Sequence, residues 1–557
     1  MSRASIISLW LVLAGCGGAA PPITTLRFYN RDPVWQVDDQ RPIPAPSERE
    51  PEMLTDDLNA LLRRAALHHM ALPDPVRAQN VNALGEVPDS SWFTNRIGVR
   101  ELTRDEVARG PNQQAPDLSA PLLVQKLKIS AGKPRLLVKD ARGNRYILKF
   151  DRHDAPELET GPDVLVQRLL WTAGYNVPEN GILELEPRQL LLDDDSKLEL
   201  APGYERKLTA HAFEAGMKQA GRTRDGHRIR VMASRLLAGT PLGGYPMEGV
   251  RADDPNDRVP HEHRRDVRGL RLIYAWLGQT DVEEPNTLDM WVQQPGRKQR
   301  GVVTHYVLDF GKALGTWGGE GHEHDGYAPH FDWRYATLSL VGLGLWPWPW
   351  EGLETPHFRG VGRYQAARFS PEHYSEANPY APFLWTDRFD EFWAAKIIAR
   401  FRPEHIEAAI EQAHYTDPDA RRYLEATILA RQRAVLRSAF AKVNPLDAFE
   451  VREDAQRSEL CFRDRLIEHG FGPVVGTRYT LRAYDYEGNA LSFARTIQAN
   501  ASGALCAAGL RTGSSHAQYT LVTLATTRGD ERLAPVIVHL ARHAQTGRLR
   551  VIGVERR

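Results

Sequence analysis

From Leu122 onward the chain is built of short apolar runs of β length. "LLVQKLKIS", "PRLLVKDARGNRYILKFD" and "NGILELEPRQLLL" alternate hydrophobic and polar positions, or run apolar for a few residues, and so predict strands. The polar "ARGN" at 141–144 splits the second run into a hairpin. Between this hairpin and the next strand, Val164, Leu165, Leu169 and Leu170 recur at helical spacing. With Thr160 as cap, Pro162 in the first turn and Gly174 as stop, they predict one helix. The order is three strands, one helix, then more strands. A polar insert at 211–228 reads as a loop, and "HRIRVMASRLLAG" predicts another strand ending near Gly239.

The period then changes. "HEHRRDVRGLRLIYAWLG" predicts a long helix with Val267, Leu270, Tyr274 and Leu277 on one face and its basic residues on a solvated one. An acidic loop, "QTDVEEPNTLD", follows, then a strand, "GVVTHYVLDFG", and a helical region over 387–442. In the loop, Glu283, Glu284 and Pro285 suit a solvated turn. From Pro445 the sequence returns to five or six β-length runs, among them "YTLRAYD", "YTLVTLATT", "PVIVHLA" and "RLRVIGVE", which predict a separate β-rich domain. Upstream, "RPIPAPSEREPE" carries four prolines and alternating charge, so 17–52 reads as a semi-rigid tether. A short helix is predicted at 54–70. "VPDSSWFTNR" (87–96) reads as a turn into an edge element and is assigned no chemistry.

Charge and cysteine content narrow the function classes. The chain has 557 residues, and its 71 basic residues balance its 71 acidic ones, so no global field draws it to nucleic acid. Arg3 precedes an apolar stretch (6–13) too short to span a bilayer, which ends in "LAGC". This resembles a bacterial lipoprotein signal, with Cys16 as the lipidated residue; an ordinary secretory signal is the alternative. Gly17 and Gly18 point to the outer membrane, at its periplasmic or surface face. Cys461 and Cys506 are the two other cysteines of the chain. In an oxidising compartment they suit a disulfide, and two buried thiols are the other reading.

Chemistry concentrates at a few positions in chain order. Lys149 ends the strand "YILKF", and Glu157 and Glu159 stand just before the following helix. Asp281 opens the acidic loop, Asn286 lies five residues on, and Asp309 ends "HYVLDFG". Phosphoryl transfer from a nucleotide needs such groups: a lysine on the phosphates held by a helix carboxylate, an aspartate and an asparagine for metal ions, and a further aspartate to orient the attacking hydroxyl. "DVEEPN", "LDFG" and "YILKF" in this order resemble the catalytic loop, metal-binding turn and third-strand lysine of the protein-kinase-like superfamily, in its atypical bacterial HipA-type and CotH-type branches.

The resemblance covers about 120–440 and implies a two-lobed kinase-like domain, which with the small C-terminal β-rich domain read from its strand runs makes an α+β fold. Together these readings divide the chain into a signal peptide at 1–15, tether and short helix at 16–85, a β-rich N-lobe at 86–205, a mainly helical C-lobe at 206–445 and the β-domain at 446–557. The resemblance also implies ATP and Mg²⁺ as cofactors. Lys149 would grip the phosphates, Glu159 or Glu157 hold that lysine, and Asn286 and Asp309 bind metal. Asp281 would orient the hydroxyl of an acceptor the sequence does not identify. Met232, Ser234 and Leu236 would line the adenine site.

Several features depart from the family. No G-x-G-x-x-G loop is present, leaving the turns at Gly132 and Gly143 to cover the phosphates. "GQTD" stands for His-Arg-Asp, no Ala-Pro-Glu follows, and Glu283 occupies the place of a lysine that meets the γ-phosphate. A pseudokinase or ligand-binding surface lipoprotein without transferase activity is the alternative, which the expected location supports because free ATP is scarce outside the inner membrane. A third reading, ranked last, is a metal-dependent hydrolase using "GHEHDGYAPH", with His322, Glu323, His324, Asp325 and His330; a solvated loop suits that stretch better. "LWPWPW" reads as packing in the helical lobe.

Overall fold

The computed structural model describes residues 22–50, 58, 76–130, 133–201, 203–316, 324–330, 332–345, 347–348, 350–354, 356, 358–454, 458–491 and 494–557. Cys16 and its leader, the helix expected at 54–70 apart from Leu58, Gly132, His322 and Glu323 lie outside them. The architecture is α+β and divides into two compact units, one of residues 22–33, Ala83–Gly85 and Asn444–Arg557, the other of the remainder.

In the larger unit, helix α1 (Arg104–Arg109) carries a capping box that pairs Thr103 with Glu106. Strands β1 (Leu122–Ser130), β2 (Lys133–Lys139) and β3 (Arg145–Lys149) follow, then helix α2 (Thr160–Ala173). Next come β4 (Asn180–Leu185), β5 (Leu190–Ala201), β6 (Tyr204–Lys207), helix α3 (Ala210–Met217) and β7 (Ile229–Arg235). The seven strands form one sheet in the order β4-β7-β3-β2-β1-β5-β6, with β1 and β5 parallel and the other pairs antiparallel. Leu122, Val124, Leu136, Val138, Leu148 and Val231 are fully buried on one face. The stretch 211–228, expected as a loop, begins instead with α3, because Met217 and Phe213 find an apolar surface on that face. Val164 of α2 packs against Ile182 and Met232.

Thr160 does not cap α2. It lies within the helix, and Asp151 serves the exposed amides instead, its Oδ1 accepting from Glu159 N and Thr160 N at 2.9 Å. Gly174 does end the helix, at φ 132°.

After β8 (Thr240–Pro241), helix α4 (Arg265–Leu277) leads through the acidic loop into β9 (Thr287–Gln293) and β10 (Gly301–Val307), which pair antiparallel with Thr287 opposite Val307. The basic face of α4 is buried rather than solvated. Arg265 (7% exposed) and Arg268 (0%) meet Asp390 at 2.9 and 3.4 Å. That carboxylate comes from a later helix, so its arrival was invisible in the local pattern. Helix α5 (Trp333–Val341) and the short α6 (Ala381–Leu384) precede three larger helices, α7 (Arg388–Ile398), α8 (Pro403–Gln412) and α9 (Pro418–Ala441). Trp348 and Trp350 stack at 5.5 Å, and Trp350 is buried.

Two further expectations fall. The supposed edge segment 87–96 is core: Trp92 is 6% exposed and stacks on His305 at 3.7 Å, and His305 in turn meets Asp289 at 2.6 Å. Nor are the described residues of the tether a free spacer. Ile43 is buried with Leu242, Trp291 and Val303 and exchanges two backbone bonds with Gly301, at 2.8 and 2.9 Å. Proline-rich sequence lies easily along a sheet edge when alternate residues such as Ile43 have an apolar slot to enter.

The smaller unit holds β11 (Leu446–Glu453), β12 (Ser458–Asp464), the short helix α10 (Arg465–Glu468), β13 (Thr477–Tyr484), β14 (Arg495–Gln498), β15 (Ala504–Ala508), β16 (Thr520–Arg528), β17 (Glu531–Arg532), β18 (Val536–Arg542) and β19 (Leu549–Arg556). They form a β11-β12-β15 sheet and a larger one ordered β14-β13-β16-β18-β19, with β17 beside β16. Cys461 and Cys506 face each other across β12 and β15 and are joined as a disulfide. The early segment at 22–33 docks here. Ile23 N donates to Gly488 O at 2.9 Å, and Phe28 meets His539 edge-on at 4.8 Å.

Candidate functional site

The β9–β10 hairpin explains how distant motifs meet. Asn286 immediately precedes β9 and Leu308–Asp309 follow β10, so antiparallel pairing brings them to the same end. Leu308 N donates to Asn286 O at 3.0 Å and locks that end. Gln279, just past α4, donates through Nε2 to the carbonyls of Asp281 (3.2 Å) and Asp309 (3.3 Å), tying the loop to the turn. Asn286 Nδ2 donates to Asp281 Oδ2 at 2.9 Å. Glu284 is not part of a solvated turn: it is buried and paired with Arg49.

Lys149 closes the cluster from the sheet. Its Nζ lies 2.9 Å from Asp309 Oδ1 and 3.2 Å from Asp163 Oδ2. Asp163 belongs to the first turn of α2 and takes a second bond from Asn180 Nδ2 at 2.8 Å. Neither expected glutamate holds the lysine. Glu159 pairs with Lys133 of β2, and Glu157 pairs with Arg359 at 3.3 Å and accepts from Thr416 N at 3.0 Å. The physical reason is helical direction. Glu157 and Glu159 precede the helix, whereas Asp163 sits one turn in, on the side that packs against β3 and β4. The signal was there in "TGPDVLVQ", an acidic residue beside an apolar stripe.

Electrostatics fix which groups are charged. Burial works against charge on Lys149, but Asp163 and Asp309 outweigh it and lift the ammonium above its ordinary value. Burial likewise opposes ionisation of Asp309, yet Lys149, Arg135 and Lys312 hold its carboxyl down at about 2. Burial raises both Asp163 and Glu159 despite their lysine partners. Asp309 is therefore the firm anion of the site. It adopts the left-handed region, φ 62°, which aspartate tolerates better than most residues, and this turns its carboxylate toward Lys149. At Gly311 a Cβ would stand 2.5 Å from Glu159 Cγ, so the turn lies directly against the start of α2.

Two cations that sequence reasoning passed over complete the cluster. Arg135 of β2 stands opposite Lys149 in the sheet register and reaches to 3.9 Å from Asp309 Oδ2. Lys312, directly after Gly311, lies 3.0 Å from Asp281 Oδ2. As for the adenine positions, Ser234 and Leu236 are half-buried at the end of β7, whereas Met232 is 1% exposed behind Val164 and Ile182. Met232 is thus part of the wall behind Lys149, not a surface for a ligand.

Asp309 and Asn286 offer only hard oxygen ligands, since Asn286 directs its amide nitrogen to Asp281; such a set suits Mg²⁺. In the histidine loop, His324, Asp325 and His330 bring ligand atoms within 4.8 Å of one another. No described helix is long and apolar enough to cross a membrane. No protein-family model matches the chain, and comparison with curated proteins and with solved structures returns no significant match.

Proposed function

We propose that the larger unit is an atypical, two-lobed kinase-like phosphotransferase using Mg-ATP on a hydroxyl acceptor, carried on a lipoprotein anchored through Cys16. The observation that carries this reading is Lys149 reaching both a helix carboxylate, Asp163, and the strand-end Asp309, from the third strand of a sheet. A strand, the helix that follows it and a turn far downstream supply those groups, and phosphoryl transfer is the chemistry that uses them together.

Lys149 neutralises phosphate charge and is aimed by Asp163. Asp309 and Asn286 are the residues that would hold magnesium, which when bound screens the phosphates. Asp281 orients the acceptor hydroxyl and takes its proton. Ser234 and Leu236 border the base. The test is a thermal shift of the untethered protein with Mg-ATP, followed by transfer of labelled γ-phosphate. Stabilisation by Mg-ATP that Asp309→Asn and Lys149→Ala remove supports the site, and no shift with any nucleotide overturns it.

The pseudokinase alternative has one observation in its favour: Asp281, the orienting carboxylate, is already engaged by Lys312. Under that reading Mg-ATP binds but no acceptor mixture ever receives the γ-phosphate.

A further inference from the structure

We propose that Lys312 is the side chain that recognises the terminal phosphate of a nucleoside triphosphate, in place of the loop lysine that Glu283 displaces. This rests on the kinase-like reading of the site and names the group that sets its preference for triphosphate over diphosphate.

Lys149 is 15% exposed and held between Asp163 and Asp309, at the inner end of the cluster. Lys312 is 34% exposed and lies against Asp281, the residue placed to meet an acceptor hydroxyl. A terminal phosphate poised for transfer must stand between Asp309 and that hydroxyl, beside Asp281 and therefore beside Lys312. The inner phosphates fall nearer Lys149 and Arg135, which flank Asp309 from the sheet at 2.9 and 3.9 Å.

Charge points the same way. Where the resemblance leads one to expect a lysine, the chain carries Glu283. A triphosphate set beside the carboxylates of Asp281 and Asp309 needs a compensating cation at its outer end. Lys312 is a flexible four-carbon ammonium, and Asp281, one of the groups it meets, is only 10% exposed and keeps a second bond from Asn286 at 2.9 Å. It can turn from that carboxylate to phosphate while Asn286 continues to hold Asp281 in place. The exchange releases the Asp281 oxygen for the acceptor. A bond then forms from the acceptor oxygen to the γ-phosphorus as the bond to the β–γ bridging oxygen breaks. ADP leaves with that electron pair, and the hydroxyl proton goes to Asp281.

The experiment compares ATP and ADP affinities, both with Mg²⁺, in wild type, Lys312→Ala and Lys312→Arg. Lys312→Ala should lose about tenfold or more in ATP affinity, the size of a charge-assisted bond, with ADP affinity changed less than about twofold. Lys312→Arg, which keeps the cation, should retain most of the preference. Equal losses for both nucleotides, or loss for neither, overturn the assignment of Lys312 while leaving the kinase-like site standing. A wild type that binds neither nucleotide removes both. An unchanged melting temperature of Lys312→Ala without ligand shows that the effect is local.

Discussion

Asp163 Oδ2 lies 3.2 Å from Lys149 Nζ, fourteen residues further along the chain and one turn into the helix that covers the strand. The pair holds the lysine where a phosphate could meet it, and Asn180 fixes the other carboxylate oxygen. Asp163→Asn should therefore weaken Mg-ATP binding by roughly tenfold, since the buried ammonium loses its aiming charge. Glu159→Gln should change it far less, because that carboxylate serves Lys133. Titration of both variants with Mg-ATP checks this, and a reversed ranking would return the role to Glu159.

Binding and transfer should separate within the loop. Asp281→Asn keeps its bond with Asn286 and should leave most nucleotide binding intact while stopping γ-phosphate transfer. A variant that transfers at the wild-type rate shows that Asp281 does not orient the acceptor.

The Cys461–Cys506 bridge joins residues 45 apart in sequence, linking the middle and edge strands of the smaller sheet. Reduction should cost that unit roughly 2–4 kcal/mol, by the entropy of closing such a loop. Protein taken from its native compartment should carry no free thiol on mass analysis without reductant, whereas two alkylatable thiols there contradict the bridge.

Acid should weaken the same unit through His539. Burial pushes this imidazole down to about 4, against the pull of Glu555, and its Nδ1 meets the Tyr519 hydroxyl at 2.9 Å. A histidine held neutral when folded titrates at its ordinary value when unfolded, so protons favour the unfolded chain. Stability is then complete above about pH 6.5 and is lost progressively toward pH 4, by roughly 3 kcal/mol from this group. Urea melts at pH 7.5 and pH 5 should show a smaller loss for His539→Gln than for wild type. Parallel losses would assign the acid sensitivity elsewhere.

Cys16→Ala should move the protein from the membrane fraction to the soluble one and abolish labelling by a fatty-acid probe. A soluble, unlabelled wild type removes the lipoprotein assignment.

Local pattern alone determined much of this protein. Period-two alternation in "PRLLVKDARGNRYILKFD" specified β2, β3 and their turn, and the stripe from Val164 to Leu170, stopped by Gly174, specified α2. The spacing of Asp281 and Asn286, and the strand end at Asp309, were legible because each belongs to one short segment. What the sequence could not fix was which distant group completes each pair. Lys149 chose Asp163 over two nearer glutamates because the rotation of α2 against the sheet, set by Val164 on Met232 and Ile182, decides which side chains face β3. Arg268 and Trp92 looked like surface and turn, and became core once Asp390 and His305 arrived from elsewhere in the chain. Burial of a charge or a ring depends on a partner contributed by another segment, and that is information only the tertiary structure holds.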